Sequence, residues 1–223
     1  MLRYSARLIS WFDVFYFLAV LKIIRLHFER INTEMIVLKR FQNHLRSDNY
    51  LKIVKLNKMH KSLRNICKIH NESYSIQLLW LTYYIMSMTT VLVYLIIFAS
   101  VIYFVLKNDV PIMAGYVYYG SWVVLYYSFC YFVLRSVTGV AKEGNNTVEL
   151  IQKLQLEVDQ QYLNKFLKIF SRQIYDDKIE FSACGFFPLD FTLIYQVISS
   201  SSMYLIILLQ FHFSKLHVKI INN

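Results

Sequence analysis

The chain has 223 residues, of which 57% are apolar and 17% aromatic, against 17% charged. A soluble domain carries roughly 25% charged residues, so this balance excludes an ordinary soluble enzyme and points to helices in a bilayer. The net charge of +10 comes with no RNA- or DNA-binding motif. Lys and Arg gathered in the loops on one side of a membrane protein explain it, and no nucleic-acid partner is expected.

Gly (5) and Pro (2) are scarce, so the chain has few turns and reads as long helices. A helix crossing a ~30 Å hydrocarbon core needs about 20 apolar residues. Residues 1–27 form a first, weaker membrane helix, interrupted by Asp13, Lys22 and Arg25. No small-x-small cleavage site follows it, so a retained helix is expected in place of a cleaved signal. Residues 28–75 follow as a helical loop, with Met35, Leu38, Phe41, Leu45 and Leu51 set among ten Lys and Arg. Residues 76–106 form a second membrane helix free of Asp, Glu, Lys and Arg. A short link at 107–109 leads to a third, 110–134, which is also uncharged.

Residues 135–185 are polar again. Ile151, Leu154, Val158, Leu163, Phe166, Leu167, Phe170 and Ile174 recur there at spacings of mainly three and four, which predicts one amphipathic helix over 148–175. Its stripe needs a partner: another cytoplasmic helix, a second subunit or the membrane surface. The polar face is mixed in sign, which favours protein packing over lipid. A last membrane helix occupies 186–213, and 214–223 form a tail. The fold class is therefore all-α, a multi-spanning helical membrane protein with long cytoplasmic helical extensions.

Lys and Arg near helix ends set orientation. Ten lie in residues 26–75 and seven in 135–181, against one in the 107–109 link and two in the tail. Both long loops are thus cytoplasmic, and the C-terminus is extracellular. Two sequons, Asn71-Glu72-Ser73 and Asn145-Asn146-Thr147, fall in the cytoplasmic loops and would go unused.

No chemistry of bond making is legible. The chain has no HExxH, no GxSxG and no paired intramembrane carboxylates. Cys67, Cys130 and Cys184 form no CxxC pair, and the Cys67–His70 spacing lacks a second ligand pair. No catalytic residue, metal or cofactor is expected. A transporter calls for Gly- or Pro-broken helices in matching halves, and only the third span has such residues, Pro111, Gly115 and Gly120.

The most specific stretch is the last. The run Phe181-Ser-Ala-Cys-Gly-Phe-Phe-Pro-Leu-Asp190 leads into a helix with Met203-Tyr204, five apolar residues, then Gln210-Phe211. This resembles the C-terminal signature of insect gustatory receptors, with Gly185, Asp190, Tyr204, Gln210 and Phe211 at matching positions. Met203 stands where that family usually has Thr. The resemblance implies a seven-span receptor of which this chain matches the fourth to seventh helices. It implies a plasma-membrane, ligand-gated, non-selective cation channel for a small-molecule tastant, with four like or unlike subunits around a pore lined by the last helix. A truncated, non-conducting receptor fragment, or another multipass transporter-like protein, is the alternative.

On a helix, Ser200, Met203 or Tyr204, Ile207 and Phe211 recur at three or four, so one face can line a pore. Apolar rings of this kind gate by dewetting. Gln210 beside the ring either touches a passing ion or caps the helix at the headgroups. The serines 199–202 suit close helix packing or a wet vestibule. Candidate ligand contacts are Tyr94 and Tyr103, then Tyr116, Tyr118, Tyr119 and Trp122, although Tyr is also the ordinary interfacial residue.

Overall fold

The computed structural model describes residues 2–40, 47–106, 112–156 and 161–221. The 107–109 link lies outside them. The elements are α1 (Leu2–Arg40), α2 (Ser47–Leu106), α3 (Ile112–Gln155), α4 (Gln161–Asp176), the strands β1 (Ser182–Ala183) and β2 (Phe187–Pro188), and α5 (Thr192–Ile221). The protein is all-α apart from this one short hairpin among the described residues. Neither α1 nor α2 contains Gly or Pro, which removes the usual causes of a break and lets each run unbroken. Stretches of α2, α3 and α5 are long and apolar enough to cross a membrane, and the described part of α1 is not among them. The expected boundaries at 27, 75 and 134 all fall inside continuous helices.

The chain divides into two units, Met1–Ile76 with Leu134–Asp190, and Gln77–Val133 with Phe191–Asn223. In the first unit the buried apolar residues among those described on α1 are Val14, Phe17, Leu21, Ile24, Phe28, Ile31, Met35 and Leu38. Their steps alternate between three and four, the repeat of a coiled-coil seam. The charged half of α2 answers with Ile53, Leu56, His60, Leu63, Cys67 and His70 at the same steps. Phe17 stacks on His70 and Phe28 meets His60 edge-on, so these two helices run antiparallel. From α4, Leu163, Leu167, Phe170 and Ile174 are buried. Tyr50 pairs with Tyr162 and His60 with Phe170, which sets α4 parallel to α2. Arg64 closes the end of α4, with Nη1 donating to the Gln173 and Asp177 carbonyls and paired at 2.8 Å with the Asp177 carboxylate. This is the usual way a cation satisfies orphan carbonyls at a helix C-terminus.

The predicted single helix over 148–175 is two helices: α3 ends at Gln155 and α4 begins at Gln161. The apolar phase explains the break. Val158 and Leu163 are five apart, a step of 500° that no single helical face accommodates.

The polar interior of this unit centres on residues 143–147 of α3. Asn32 Nδ2 donates to the Glu143 carbonyl at 3.0 Å and to its carboxylate at 3.2 Å, and Thr147 Oγ1 donates to Asn32 Oδ1 at 2.7 Å. His60, 2% exposed, lies 3.0 Å through Nε2 from the Gly144 carbonyl. Asn145 grips the extended segment after α4, donating to the Ile179 carbonyl and accepting from its N–H. A Cβ at Gly144 would force the end of the Ile179 side chain aside and touch Phe28. Thr147 of one sequon is fully buried, and Asn71 of the other is half-buried and accepts from the Ser182 N–H.

Among the described residues of the second unit, few side chains are fully buried. Its buried residues are Leu78, Ile85, Thr89, Thr90 and Leu92 on α2, Cys130 and Val133 on α3, and Leu193, Val197 and Ser201 on α5. The three threonines of this stretch of α2 return their hydroxyls to carbonyls one turn back, as apolar surroundings demand.

Two outcomes follow from the first unit. Replacing Gly144 by Val overfills the α3 crossing and should lower stability by about 1–3 kcal/mol, read as a drop in unfolding midpoint in lipid nanodiscs; an unchanged midpoint would contradict the packing. Burial pushes the His60 imidazole below its ordinary value of 6.5, against the opposing bond to Gly144. The unfolded chain therefore takes up this proton before the folded one does. The stability contributed by neutral His60 is whole above about pH 6.5 and is lost as pH falls through the folded value. Midpoints measured from neutral to mildly acidic pH should fall less steeply in His60→Gln than in the wild type, and equal slopes would rule this out.

Candidate functional site

Among its described residues, the last helix touches the rest of its unit along one row. Leu193, Val197 and Ser201 are buried, and Leu205, Leu209 and His212 continue the row half-buried. At 100° per residue each step of four advances this row by 40°, so it winds gradually round α5. Facing away from Ser201, Leu205, Leu209 and His212 are Met203, Ile207 and Phe211, of which Met203 is 68% and Phe211 67% exposed. Gln210 and Tyr204 are also exposed. The residues expected to line a pore thus lie away from the chain's own contacts and form one uncovered apolar strip with Gln210 at its edge. Of the four serines, Ser201 alone is buried and points its hydroxyl at the Met86 carbonyl, 3.4 Å away. Ser202 bonds back to the Ile198 carbonyl and stays exposed.

Two side-chain pairs join the Ser201–Met86 bond in tying α2 to its neighbours among the described residues of this unit. Tyr84 and Tyr126 share a hydrogen bond of 3.1 Å between hydroxyls. Tyr94 Oη lies 3.1 Å from Nδ1 of His212, and Phe98 meets the same imidazole edge-on at 4.9 Å.

The aromatic candidates do not gather around one cavity. Trp122 stacks on Tyr126, which in turn meets Tyr84. Tyr118 packs edge-on against both Tyr119 and Trp122. Tyr94 stacks along its own helix on Phe98 and reaches α5. The side chains of Tyr103 and Tyr116 lie outside the described residues. A cavity of about 340 Å³ opens in the first unit between α2 and α4, lined by Asn57, His60, Arg64, Phe170 and Gln173. None of the sequence-predicted ligand residues lines it.

The conspicuous run before α5 is a hairpin with Ser182 opposite Pro188 and Ala183 opposite Phe187. Cys184 and Gly185 are both left-handed, with φ of 52° and 74°. The Phe186 N–H returns to the Ala183 carbonyl at 3.0 Å. Two successive left-handed residues define a type I′ turn, in which Gly costs nothing and Cys is strained. Phe181, Ala183 and Leu189 face inward and are buried, while Phe186 at the tip is exposed. Asp190 is half-buried, two residues before α5 begins.

Sequence reading missed His212, Tyr84 and Tyr126. An ionisable side chain one residue after Gln210-Phe211, in an otherwise apolar run, was the available signal. The tyrosine pair carried none, because 18 Tyr in this chain make any one of them ordinary.

Three comparisons bear on these features. The model of the 7tm chemosensory receptor family matches residues 2–215. The putative gustatory receptor 2a of Drosophila melanogaster is 48% identical over 46 residues, 21% of this chain and 11% of that protein. The gustatory receptor for bitter taste 66a of the same organism is 26% identical over 175 residues, 73% of this chain and 32% of that protein. The chain thus spans a third or less of the length of these relatives.

The hairpin yields a direct test. A left-handed residue with a Cβ costs about 1–2 kcal/mol, and nothing lies within 4 Å of the Cβ that Gly185 lacks. Gly185→Ala should therefore destabilise by about 1 kcal/mol through the backbone alone, while Cys184→Gly should raise the unfolding midpoint. If both variants melted with the wild type, the turn would not have this geometry.

Proposed function

The chain belongs to the 7tm chemosensory receptor family, within the insect gustatory receptors, and from that premise we propose that it acts as part of a ligand-gated, non-selective cation channel in the plasma membrane. Four subunits, alike or mixed, surround a pore lined by α5. The observation that carries this reading is the one-row contact of α5. A helix apolar enough to span, yet covered among the described residues along one winding row, leaves its other faces to neighbouring subunits and to the conduction path. Ile207 and Phe211 supply apolar rings that close the path by dewetting, and Gln210 gives an uncharged polar group for a hydrated cation.

The ligand is a small-molecule tastant. One relative is named for bitter taste, which makes bitter compounds the first to apply. Tyr94, Tyr103, Tyr119 and Trp122 remain the aromatic candidates for contact, each offering a ring and a polar edge. The charged halves of the helices lie in the cytoplasm by their Lys and Arg bias, and the C-terminus is extracellular. Exposed Ile66, Ile69, Ile169 and Tyr175 on the first unit give the cytoplasmic helices apolar surface with which to hold subunits together.

Whole-cell recording from the full receptor chain tests this reading. Bitter compounds and sugars should evoke a current that barely discriminates Na⁺ from K⁺. Gln210→Arg places four positive charges at the constriction and should cut cation current roughly tenfold or more. Phe211→Ala removes an apolar ring and should raise current in the absence of ligand. A surface-expressed receptor that passes no current to any compound would sink the channel reading, and a Gln210→Arg receptor conducting normally would take the pore away from α5.

A further inference from the structure

The Tyr94–His212 pair is positioned to do more than pack. Within the second unit α5 runs parallel to α2, as two cross-links show. Ser201 Oγ faces the Met86 carbonyl at 3.4 Å, and His212 meets both Tyr94 and Phe98. These fixings are eleven residues apart, roughly three helical turns or 16 Å. Tyr204, Ile207, Gln210 and Phe211 all lie between them. The first fixing is a long bond from a small hydroxyl to a backbone carbonyl. The second joins two side chains at 3.1 Å, with the Phe98 edge closing over the imidazole.

We propose that the Tyr94–His212 hydrogen bond is a latch that positions the C-terminal third of α5, and with it the ring of Ile207, Gln210 and Phe211. The inference rests on the channel reading above and adds a specific control point to it. Tyr94 and His212 are positioning residues; neither belongs to the uncovered strip. Three features make the bond suited to the task. An imidazole nitrogen and a phenol hydroxyl complement each other, one accepting and one donating. The pair lies in an apolar stretch where an unpaired polar group is costly, so the bond has two distinct states, made or broken, with little between. And Tyr94 stacks on Phe98 along α2, so displacing α2 at this level disturbs both contacts to His212 together. Whatever moves the second span at Tyr94 therefore acts on the segment of α5 that carries the proposed gate.

The test uses the full receptor chain in lipid nanodiscs and in cells. Four variants are compared with the wild type: Tyr94→Phe, which removes only the hydroxyl, His212→Leu, the double variant, and His212→Gln, whose amide can pair with the phenol. Amide hydrogen exchange over residues 202–212 reports local opening of α5 whether or not the channel conducts, and ligand-free current reports the gate. Each single change should speed exchange roughly threefold, the scale of one interhelical hydrogen bond in a bilayer. The double variant should add nothing to either single, His212→Gln should stay near the wild type, and ligand-free current should shift in the same pattern. Unchanged or additive exchange overturns the latch, as does faster exchange with an unmoved ligand-free current in a conducting receptor. A silent wild type that still shows the non-additive exchange pattern overturns the channel reading and leaves the bond as a fixing of α5.

Discussion

The first unit depends on one buried imidazole. His60 projects from α2, pairs through Nε2 with the Gly144 carbonyl of α3, and is met edge-on by Phe28 of α1 and Phe170 of α4. Four helices thus meet at a single side chain. Apolar seams with a repeat of three and four tolerate sliding by a heptad, because every turn offers the next much the same surface. A polar group that must find a carbonyl does not tolerate it. The Asn32–Glu143–Thr147 set, one turn or less from Gly144, has the same property and fixes α1 against α3. Gly144 is the steric counterpart: its missing side chain is the space into which Ile179 and Phe28 fit. Register here is specified by hydrogen bonds, and the energy of burial comes from the leucines, isoleucines and phenylalanines around them.

The second unit follows a different logic. Its helices bury few residues of their own chain and leave large apolar surfaces uncovered, as suits a solvent of lipid tails and neighbouring helices. Association in that solvent gains nothing from the hydrophobic effect between helices. Polar pairs such as Tyr84–Tyr126 and Tyr94–His212 therefore carry more of the specificity than their number suggests. A helix fixed in this way at a few points has its position set by those pairs.

Much of this was legible in the sequence. The uncharged runs at 76–106, 110–134 and 191–213 mark the apolar stretches of α2, α3 and α5, and Tyr204, Gln210 and Phe211 point to the family. What the sequence hides is how elements meet. The helices pass without a break from charged to apolar stretches, because no Gly or Pro stands at 75 or 134 to mark a boundary. The gap between α3 and α4 was visible only as a five-residue step from Val158 to Leu163, outweighed by the regularity on either side. The hairpin was read as a motif without its shape: Cys184-Gly185 gives a half-signal for a type I′ turn, since Cys is not a residue that usually adopts that conformation. The long-range partners of His60, His212 and Asn145 lie dozens of residues away in the chain, and no local pattern names them.

Asn145 and Thr147 carry one more consequence. They match the acceptor pattern for a glycan, yet the amide nitrogen of Asn145 donates to Ile179 and the hydroxyl of Thr147 donates to Asn32. Two unrelated packing requirements, an amide that imitates a strand edge and a hydroxyl that completes a polar cluster, fall two residues apart on the same helix. The tripeptide is then a by-product of helix geometry, since both side chains of the acceptor pattern are already engaged inside the protein.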